Sequence, residues 1–381
     1  MKDQDFIWLS SPHMGGKERD FVNLAFDTNW VAPLGPNVNG FEEDLENYLG
    51  PGNHVAAVSS GTAAIHLALI QAGVGAGDVV ICQSFTFCGS ANPILYCGAT
   101  PVFVDSERDT WNMCPDLFME AVADCKKKGQ VVKAVIPVHL YGMPYKVDEI
   151  HAFAKAENIT VIEDAAEALG SSYKNQTCGQ LGDLGVLSFN GNKMITTSGG
   201  GAVVSKTLVE KKNLIFLATQ ARDTAPHYEH SQLGYNYRMS NISAGIGRGQ
   251  MLVLENHIEG RRSMNQFYQS LFKSIEGITV HMEPGNQFKS NHWLSCITVD
   301  PKVTGGIDRE NIRLYLLELG IESRPLWKPM HLQPLYKDCA QYVNGVSNTL
   351  FNKGLCLPSG SNLTVEHRDR ITKAFKNLSL I

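Results

Sequence analysis

Between residues 54 and 205, short β-branched runs alternate with longer stretches whose apolar positions recur at helical spacing. HVAAV (54–58), DVVIC (78–82), TPVFVD (100–105), VKAVIPVH (132–139) and ITVIED (159–164) read as strands, and VLSF (186–189) and GAVVSK (201–206) add two more. Gly61–Ala72, MEAVADCKKK and DEIHAFAKAEN carry the helical pattern between them. Strands joined by helices of this length predict a mostly parallel sheet with right-handed crossovers. After about residue 206 the helices lengthen. They are LVEKKNLIFLATQ and one connecting helix over SAGIGRGQMLVLENHIEGRRSMNQFYQSLFKSI. WLSCITVD (293–300) returns to strand, RENIRLYLLELG is a helix ending at Gly320, and IESRPLW is extended. The pattern predicts a large N-terminal domain over 1–250 and a smaller α/β domain over 251–381, with no Pro/Ser-rich linker between them.

Composition narrows the class. With 43% hydrophobic and 19% charged residues, the 381-residue chain can fill a sizeable core, which excludes global disorder. The net charge of −5 comes with no long basic run. Lys126–Lys128 reads as a solvated helix end, so no nucleic-acid partner is expected. No stretch approaches the ~18 apolar residues of a membrane span. The start, MKDQDFIWLSS, lacks a signal peptide's apolar core. The nine cysteines are odd in number, irregular in spacing and without a C-x-x-C pair. A reduced cytoplasmic chain is expected, without disulfides, metal or membrane contact. The sequons at Asn158 and Asn362 are then chance composition.

In sheets of this kind ligands bind where strands hand over to loops, here near residues 59, 83, 139, 164 and 189. Ser59-Ser60-Gly61-Thr62 lies between a strand and an apolar helix. Gly61 permits close backbone approach, and a helix start aims N–H groups at an anion. The plainer reading is an N-cap by Ser60. Asp164 ends an apolar strand, where its carboxylate can hold a cationic ring nitrogen or simply cap the next turn. Lys193 follows Ser188 by five residues and precedes the Gly199-Gly200-Gly201 run. A lysine on a loop is ordinarily a solvated charge; desolvated in such a place it is a nucleophile able to form a Schiff base. Phosphate cradle, pyridinium partner and lysine, in this order, are the parts of a pyridoxal-phosphate site.

With these residues in view, the chain resembles the DegT/DnrJ/EryC1/StrS sugar aminotransferases, of the aspartate-aminotransferase (type I) fold. The likeness runs through WVAPLGP (30–36), SSGTAAIHLAL (59–69), QSFTF (83–87), VHLYGMP (138–144), EDAAEALG (163–170), SFNGNKMITTSGGG (188–201), YEHSQLGYNYRMSN (228–241), RPLWKPMH (324–331) and CLPSG (356–360). It is similar above all to the branch making 4-amino-4,6-dideoxy sugars, which includes UDP-N-acetylbacillosamine-pathway transaminases and exopolysaccharide enzymes of the EpsN type.

The resemblance implies an α/β fold with a large, mostly parallel, seven-stranded-type sheet and a smaller C-terminal domain. It also implies pyridoxal 5′-phosphate as cofactor. Lys193 matches the lysine that holds the cofactor covalently and moves the proton to the sugar carbon. Asp164 matches the partner of the ring nitrogen, and Glu167 stands where many members have Gln, near the phenolic oxygen. Phe87 matches the aromatic stacked on the ring, a role that a core Phe equally explains. Gly61, Thr62 and Ser188 match phosphate ligands, and Asn236 a residue reaching the phosphate of the neighbouring subunit, which implies a homodimer with shared sites. Trp30, His230, Arg238, Arg324, Lys328 and His331 match segments lining a nucleotide-sugar cleft, with Arg238 and Arg324 suited to a pyrophosphate. The expected reaction is amination of a nucleotide-linked 4-keto-6-deoxy sugar by L-glutamate.

Three other readings are weaker. A dinucleotide dehydrogenase would need its glycine fingerprint after a strand, whereas Gly73-Val74-Gly75-Ala76-Gly77 follows a helix. Sugar 3-dehydratases resembling this family carry histidine where this chain has Lys193. A non-catalytic binding protein would not need lysine, aspartate and phosphate cradle together.

Overall fold

Each strand read between residues 54 and 205 forms close to its expected place. β1 (His54–Val58), β2 (Val79–Gln83), β3 (Thr100–Val104), β4 (Val132–Ile136) and β5 (Thr160–Asp164) come first, followed by the short β6 (Ser172–Tyr173) and β7 (Gln176–Thr177). β8 (Leu184–Ser188) and β9 (Gly201–Ser205) complete this part. Later come β10 (Ile278–Val280), β11 (Phe288–Lys289), β12 (Ser295–Val299), β13 (Arg324–Pro325), β14 (Gln341–Tyr342) and β15 (Gly354–Leu357). The computed structural model describes residues 6–378, so Met1–Asp5 of the polar start lie outside the described residues.

The large sheet runs β1-β9-β8-β5-β4-β2-β3-β14. From β8 to β14 every neighbouring pair is parallel, while β9 is antiparallel to both β1 and β8. The mostly parallel seven-stranded sheet is thus present, extended at one edge by the two-residue β14. β4 stops short of the expected His139 because Pro137 brings no N–H to the ladder. Side-chain alternation separates the faces. Val80 and Cys82 pack with the helix Gly61–Gln71, whose residues from Ala63 to Leu69 are buried. Val79 and Ile81 pack on the other face with Pro115–Lys127 and Val147–Ala156.

A second, antiparallel sheet, β10-β12-β15-β13, packs with the helices Leu254–Phe272, Arg309–Glu318 and Val365–Asn377 around Met264, Tyr268, Ile312, Leu316, Ile371 and Phe375. Two segments cross between the sheets: Ile7 bridges Ile321, and β14 joins β3.

The single connecting helix expected after residue 243 is instead two, Asn241–Met251 and Leu254–Phe272, broken at Val253 (φ −121°, ψ 10°). The first is pinned against Glu18–Asp27 and Pro36–Leu49 by glycines. A Cβ at Gly247 would come within 2.7 Å of Phe41, and one at Gly249 within 2.6 Å of the Glu18 backbone. The second helix starts in the same core, with Leu254 and Ile258, and ends in the other, with Met264, Tyr268 and Phe272. Apolar periodicity continues through the break, which is why the pattern alone reads as one helix. Of the extended IESRPLW, only Arg324–Pro325 pairs as strand. Among the described residues, no helix is long and apolar enough to cross a membrane.

Candidate active site

The candidate residues gather where the parallel strands end. β1 hands over at Val58 to Ser59 and Ser60, whose Oγ accepts the Ala63 N–H at 3.0 Å. The N-cap reading of Ser60 therefore holds, yet the same helix start lines a cavity through Ser60, Gly61 and Thr62. Gly61 is required by space, since a Cβ there would stand 3.1 Å from that of Ser188. The last glycine of the run has the same cause: a Cβ at Gly201 would fall 2.5 Å from the Gly61 nitrogen. Strand β9 and the β1 loop are thus pressed together around a hollow floored by backbone.

Asp164 closes β5 and is 4% exposed. Its Oδ2 accepts from Ser90 Oγ at 2.6 Å and its Oδ1 from the Ala166 N–H at 3.1 Å. Ser90 in turn pairs with Thr86 Oγ1 at 2.7 Å. Burial pushes the carboxyl pKa up, while these two hydrogen bonds and Lys193 pull the other way. One residue earlier, Glu163 points to the opposite face. It takes the His139 imidazole at 2.7 Å and three backbone N–H groups, from Gly179, Leu181 and Gly182. His139 also donates its own N–H to the Asp164 carbonyl at 3.1 Å. This buried carboxylate–imidazole pair, with Cys178 beside it, fixes the end of β5.

Lys193 lies on the loop between β8 and β9. Its Nζ is 3.2 Å from Glu167 Oε1 and 4.1 Å from the centre of the Trp293 ring. Glu167 Oε2 accepts the Tyr141 N–H at 2.7 Å, with Tyr141 in the left-handed region at φ 54°. Burial raises the Glu167 pKa to about 7, against the pull of Lys193 and that N–H. The amine therefore faces an aromatic ring and a carboxyl that titrates near neutrality.

A cavity of about 310 Å³ joins these groups, and Gly61, Thr62, Phe87, Asp164, Ser188 and Lys193 all line it. Glu167 lies beneath, in contact with Lys193. Phe87, 55% exposed, shows its ring at the cavity edge near Trp327 and is no core residue. The other candidates stand elsewhere. Arg238 is buried on Glu42 and the Ala57 carbonyl, so within this chain its guanidinium is not open to a pyrophosphate. Trp30, His230 and Asn236 are exposed. Arg324 is held on Glu322 at 2.7 Å with most of its side chain in solvent, and Lys328 is exposed beyond Trp327. His331 Nδ1 pairs with Ser84 Oγ at 2.6 Å, and burial lowers its pKa. Ser90 and Trp293 line the cavity without having been read from sequence, and Trp327 lines it from within the RPLWKPMH stretch. A wider cleft of about 720 Å³ lies around Thr160 and Leu184, at the opposite ends of β5 and β8, and includes none of the candidates.

The sheet and this cavity define a pyridoxal-phosphate-dependent transferase of the aspartate-aminotransferase fold. Residues 12–376 match the DegT/DnrJ/EryC1/StrS aminotransferase family, and the chain belongs to it. It is 47% identical over 98% of its length to EpsN of Bacillus subtilis (strain 168), provisionally named a pyridoxal phosphate-dependent aminotransferase, covering 95% of that protein. It is 37% identical to the GDP-perosamine synthase of Escherichia coli O157:H7, across 95% of both chains. A crystal structure of a DegT DnrJ EryC1 StrS aminotransferase from Brucella abortus superposes with a TM-score of 0.87 at 28% identity, over 95% of both chains. The protein is a pyridoxal-phosphate-dependent sugar aminotransferase. Its cavity fits that cofactor chemically: it is lined by a buried carboxylate, Asp164, by the Lys193 amine, and by a helix start at Ser60, Gly61 and Thr62.

Proposed function

We propose that this enzyme aminates C4 of UDP-2-acetamido-2,6-dideoxy-4-ketohexose, with L-glutamate as amino donor, to supply a 4-amino sugar for surface or exopolysaccharide glycans. The observation that supports amino transfer is the convergence of Lys193, in contact with Glu167, and Asp164, held by Ser90, at one cavity. The choice of sugar rests on the likeness of WVAPLGP, EDAAEALG, NGNKMITTSGGG and RPLWKPMH to the 4-amino-sugar branch. When bound, pyridoxal phosphate supplies the carbonyl that takes the amino group and a ring that accepts electrons. Thr62, Ser188 and the N–H groups at Gly61 would hold its phosphate. Asp164 would pair with the ring nitrogen. Lys193 Nζ would hold the cofactor, and the same amine is placed to carry the proton delivered to the sugar's C4. Glu167 sets where that amine rests. An amine at position 193 favours amino transfer over sugar dehydration.

The nucleotide would lie at the mouth of the cavity, past Phe87 and Trp327, where Arg324, Lys328 and His331 are the candidates for its phosphates. GDP-4-keto-6-deoxymannose is the second reading, favoured by the likeness to the perosamine synthase. Values of kcat/KM on the two keto sugars separate them. A tenfold preference for the GDP sugar, about 1.4 kcal/mol in transition-state binding, overturns the first.

We further propose a homodimer in which Asn236 serves the partner's phosphate site, and place it in the cytoplasm, where the nine free cysteines stay reduced. Asn236 is exposed within this chain, and Leu24, Phe26, Trp30, Val31 and Leu34 form an exposed apolar segment that a second copy would cover. Mixed dimers of Lys193→Ala and Asn236→Ala chains should recover one intact site; a fully active monomer overturns this arrangement.

A further inference from the structure

The helix Leu254–Phe272 turns two buried polar side chains, His257 and Arg261, onto one face, four residues apart. Arg261 is 2% exposed, and its partners are three carbonyls and a hydroxyl, none of them charged. Nη1 donates to the Trp293 carbonyl at 2.7 Å and reaches that of Ser359 at 3.4 Å. Nη2 donates to the Lys193 carbonyl at 3.2 Å and to Ser10 Oγ at 3.0 Å. His257 bonds the backbone of the next residue, Met194; burial lowers its pKa to about 4, so it stays neutral. Burial also brings Arg261 down to about 10, which leaves it a cation at neutral pH.

Lys193 and Trp293 are a hundred residues apart in sequence and lie on different parts of the fold, yet their side chains meet at 4.1 Å. The same two residues offer their carbonyls to one guanidinium. A buried cation without an acidic partner is costly, and here the hydrogen bonds of the two Nη groups offset that cost while Nε has no partner among the described residues. The planar fork of arginine spans two carbonyls at fixed separation, which a lysine ammonium on a flexible stem does not.

We propose that Arg261 is a positioning residue for Lys193: by tying the Lys193 and Trp293 backbones to one rigid fork, it sets Nζ over the indole and within reach of Glu167. The proposal rests on Lys193 being the reacting amine. Without the fork the Lys193 and Trp293 carbonyls lose their common anchor, and the bond from the Trp293 indole N–H to the Asn192 carbonyl at 2.7 Å is left to hold the two segments together. A misplacement of about 1 Å remote from the chemistry can cost about a hundredfold in rate.

The test uses full-length Arg261→Met and Arg261→Lys, each loaded with pyridoxal phosphate. Arg261→Met should retain stoichiometric cofactor, because the cradle at Gly61, Thr62 and Ser188 is untouched. Its visible circular-dichroism band should weaken. Added cofactor should develop the bound absorbance about tenfold more slowly, and kcat should fall at least about tenfold with both KM values within about threefold. Arg261→Lys should recover part of each loss. A lowered melting temperature with an unchanged dichroism band, binding rate and kcat would show a merely structural residue and overturn the proposal. Should the Met variant not fold, the Lys variant decides, since wild-type band and kcat without the fork also overturn it. Borohydride reduction of the wild type followed by peptide mapping separates the two levels: label away from Lys193 refutes the reading of the amine itself.

Discussion

Replacing Glu167 by Gln keeps the side chain's shape and removes its titration. Burial raises this carboxyl's pKa from 4.5 to about 7, with Lys193 and the Tyr141 N–H opposing. In the unfolded chain the proton leaves near 4.5. Between those values the folded chain keeps a proton that the unfolded chain has lost. The stabilising contribution is therefore full below about pH 4.5 and disappears as the pH climbs through about 7. At about 1.4 kcal/mol per pH unit, the gap amounts to about 3 kcal/mol. Glutamine can keep its single oxygen on the Tyr141 N–H, which turns its NH2 toward Lys193 Nζ, and it has no such pH dependence. Relative to wild type, Glu167→Gln should thus gain most of about 3 kcal/mol between pH 5 and pH 8. Urea unfolding of the cofactor-free chain across that range measures it, at one protein concentration so that any assembly contribution cancels. In a Lys193→Ala background the carboxyl loses its cationic neighbour, and the gap should widen. Stability curves of wild type and Glu167→Gln that run parallel from pH 5 to pH 8 would refute the reasoning.

Lys193→Ala should abolish turnover and the mass that borohydride fixes on the chain, which peptide mapping checks. Ser90→Ala leaves buried Asp164 with one donor, the Ala166 N–H; losing a hydrogen bond to a charged group costs about 1.5–3 kcal/mol, so kcat should fall by roughly ten- to a hundredfold in steady-state assays while circular dichroism shows the fold intact. Arg238→Met strands Glu42, which keeps only Lys211 and the Ala57 N–H; unfolding should register a loss of about 3 kcal/mol, whereas an unchanged stability with a raised KM for the sugar nucleotide would return Arg238 to the substrate cleft.

The parallel sheet was legible because its strands are short, β-branched and buried on both faces, so the run of apolar residues stops where the strand stops. The helix Cys88–Tyr96 was not, although it carries Ser90. Its sequence, CGSANPILY, contains Gly, Asn and an internal Pro93, all poor helix formers, and tertiary packing of Ala91 and Ile94 overrides them. The break at Val253 was invisible for the opposite reason. There the local pattern is good for a helix, and apolar residues on both sides of the break, Met251 and Leu254, pack on the same core, so nothing in the pattern marks it.

The site divides along the same line. Residues at strand ends could be placed from sequence, because a parallel sheet brings all its C-terminal ends to one side whatever the loops do. Gly61, Thr62, Asp164, Ser188 and Lys193 converge for that reason alone. Trp293 and Trp327 reach the same cavity from the region of the second sheet, and no local pattern distinguishes an aromatic that faces a ligand from one that fills a core. What marks Trp293 is a relation between distant backbones, the guanidinium of Arg261 shared with the Lys193 carbonyl. Arg238 shows the converse. A motif arginine that looks free in sequence is bound by a glutamate 196 residues away. Charge in a motif therefore says little about function until its partners are known, whereas position at the end of a parallel strand says a good deal before any partner is seen.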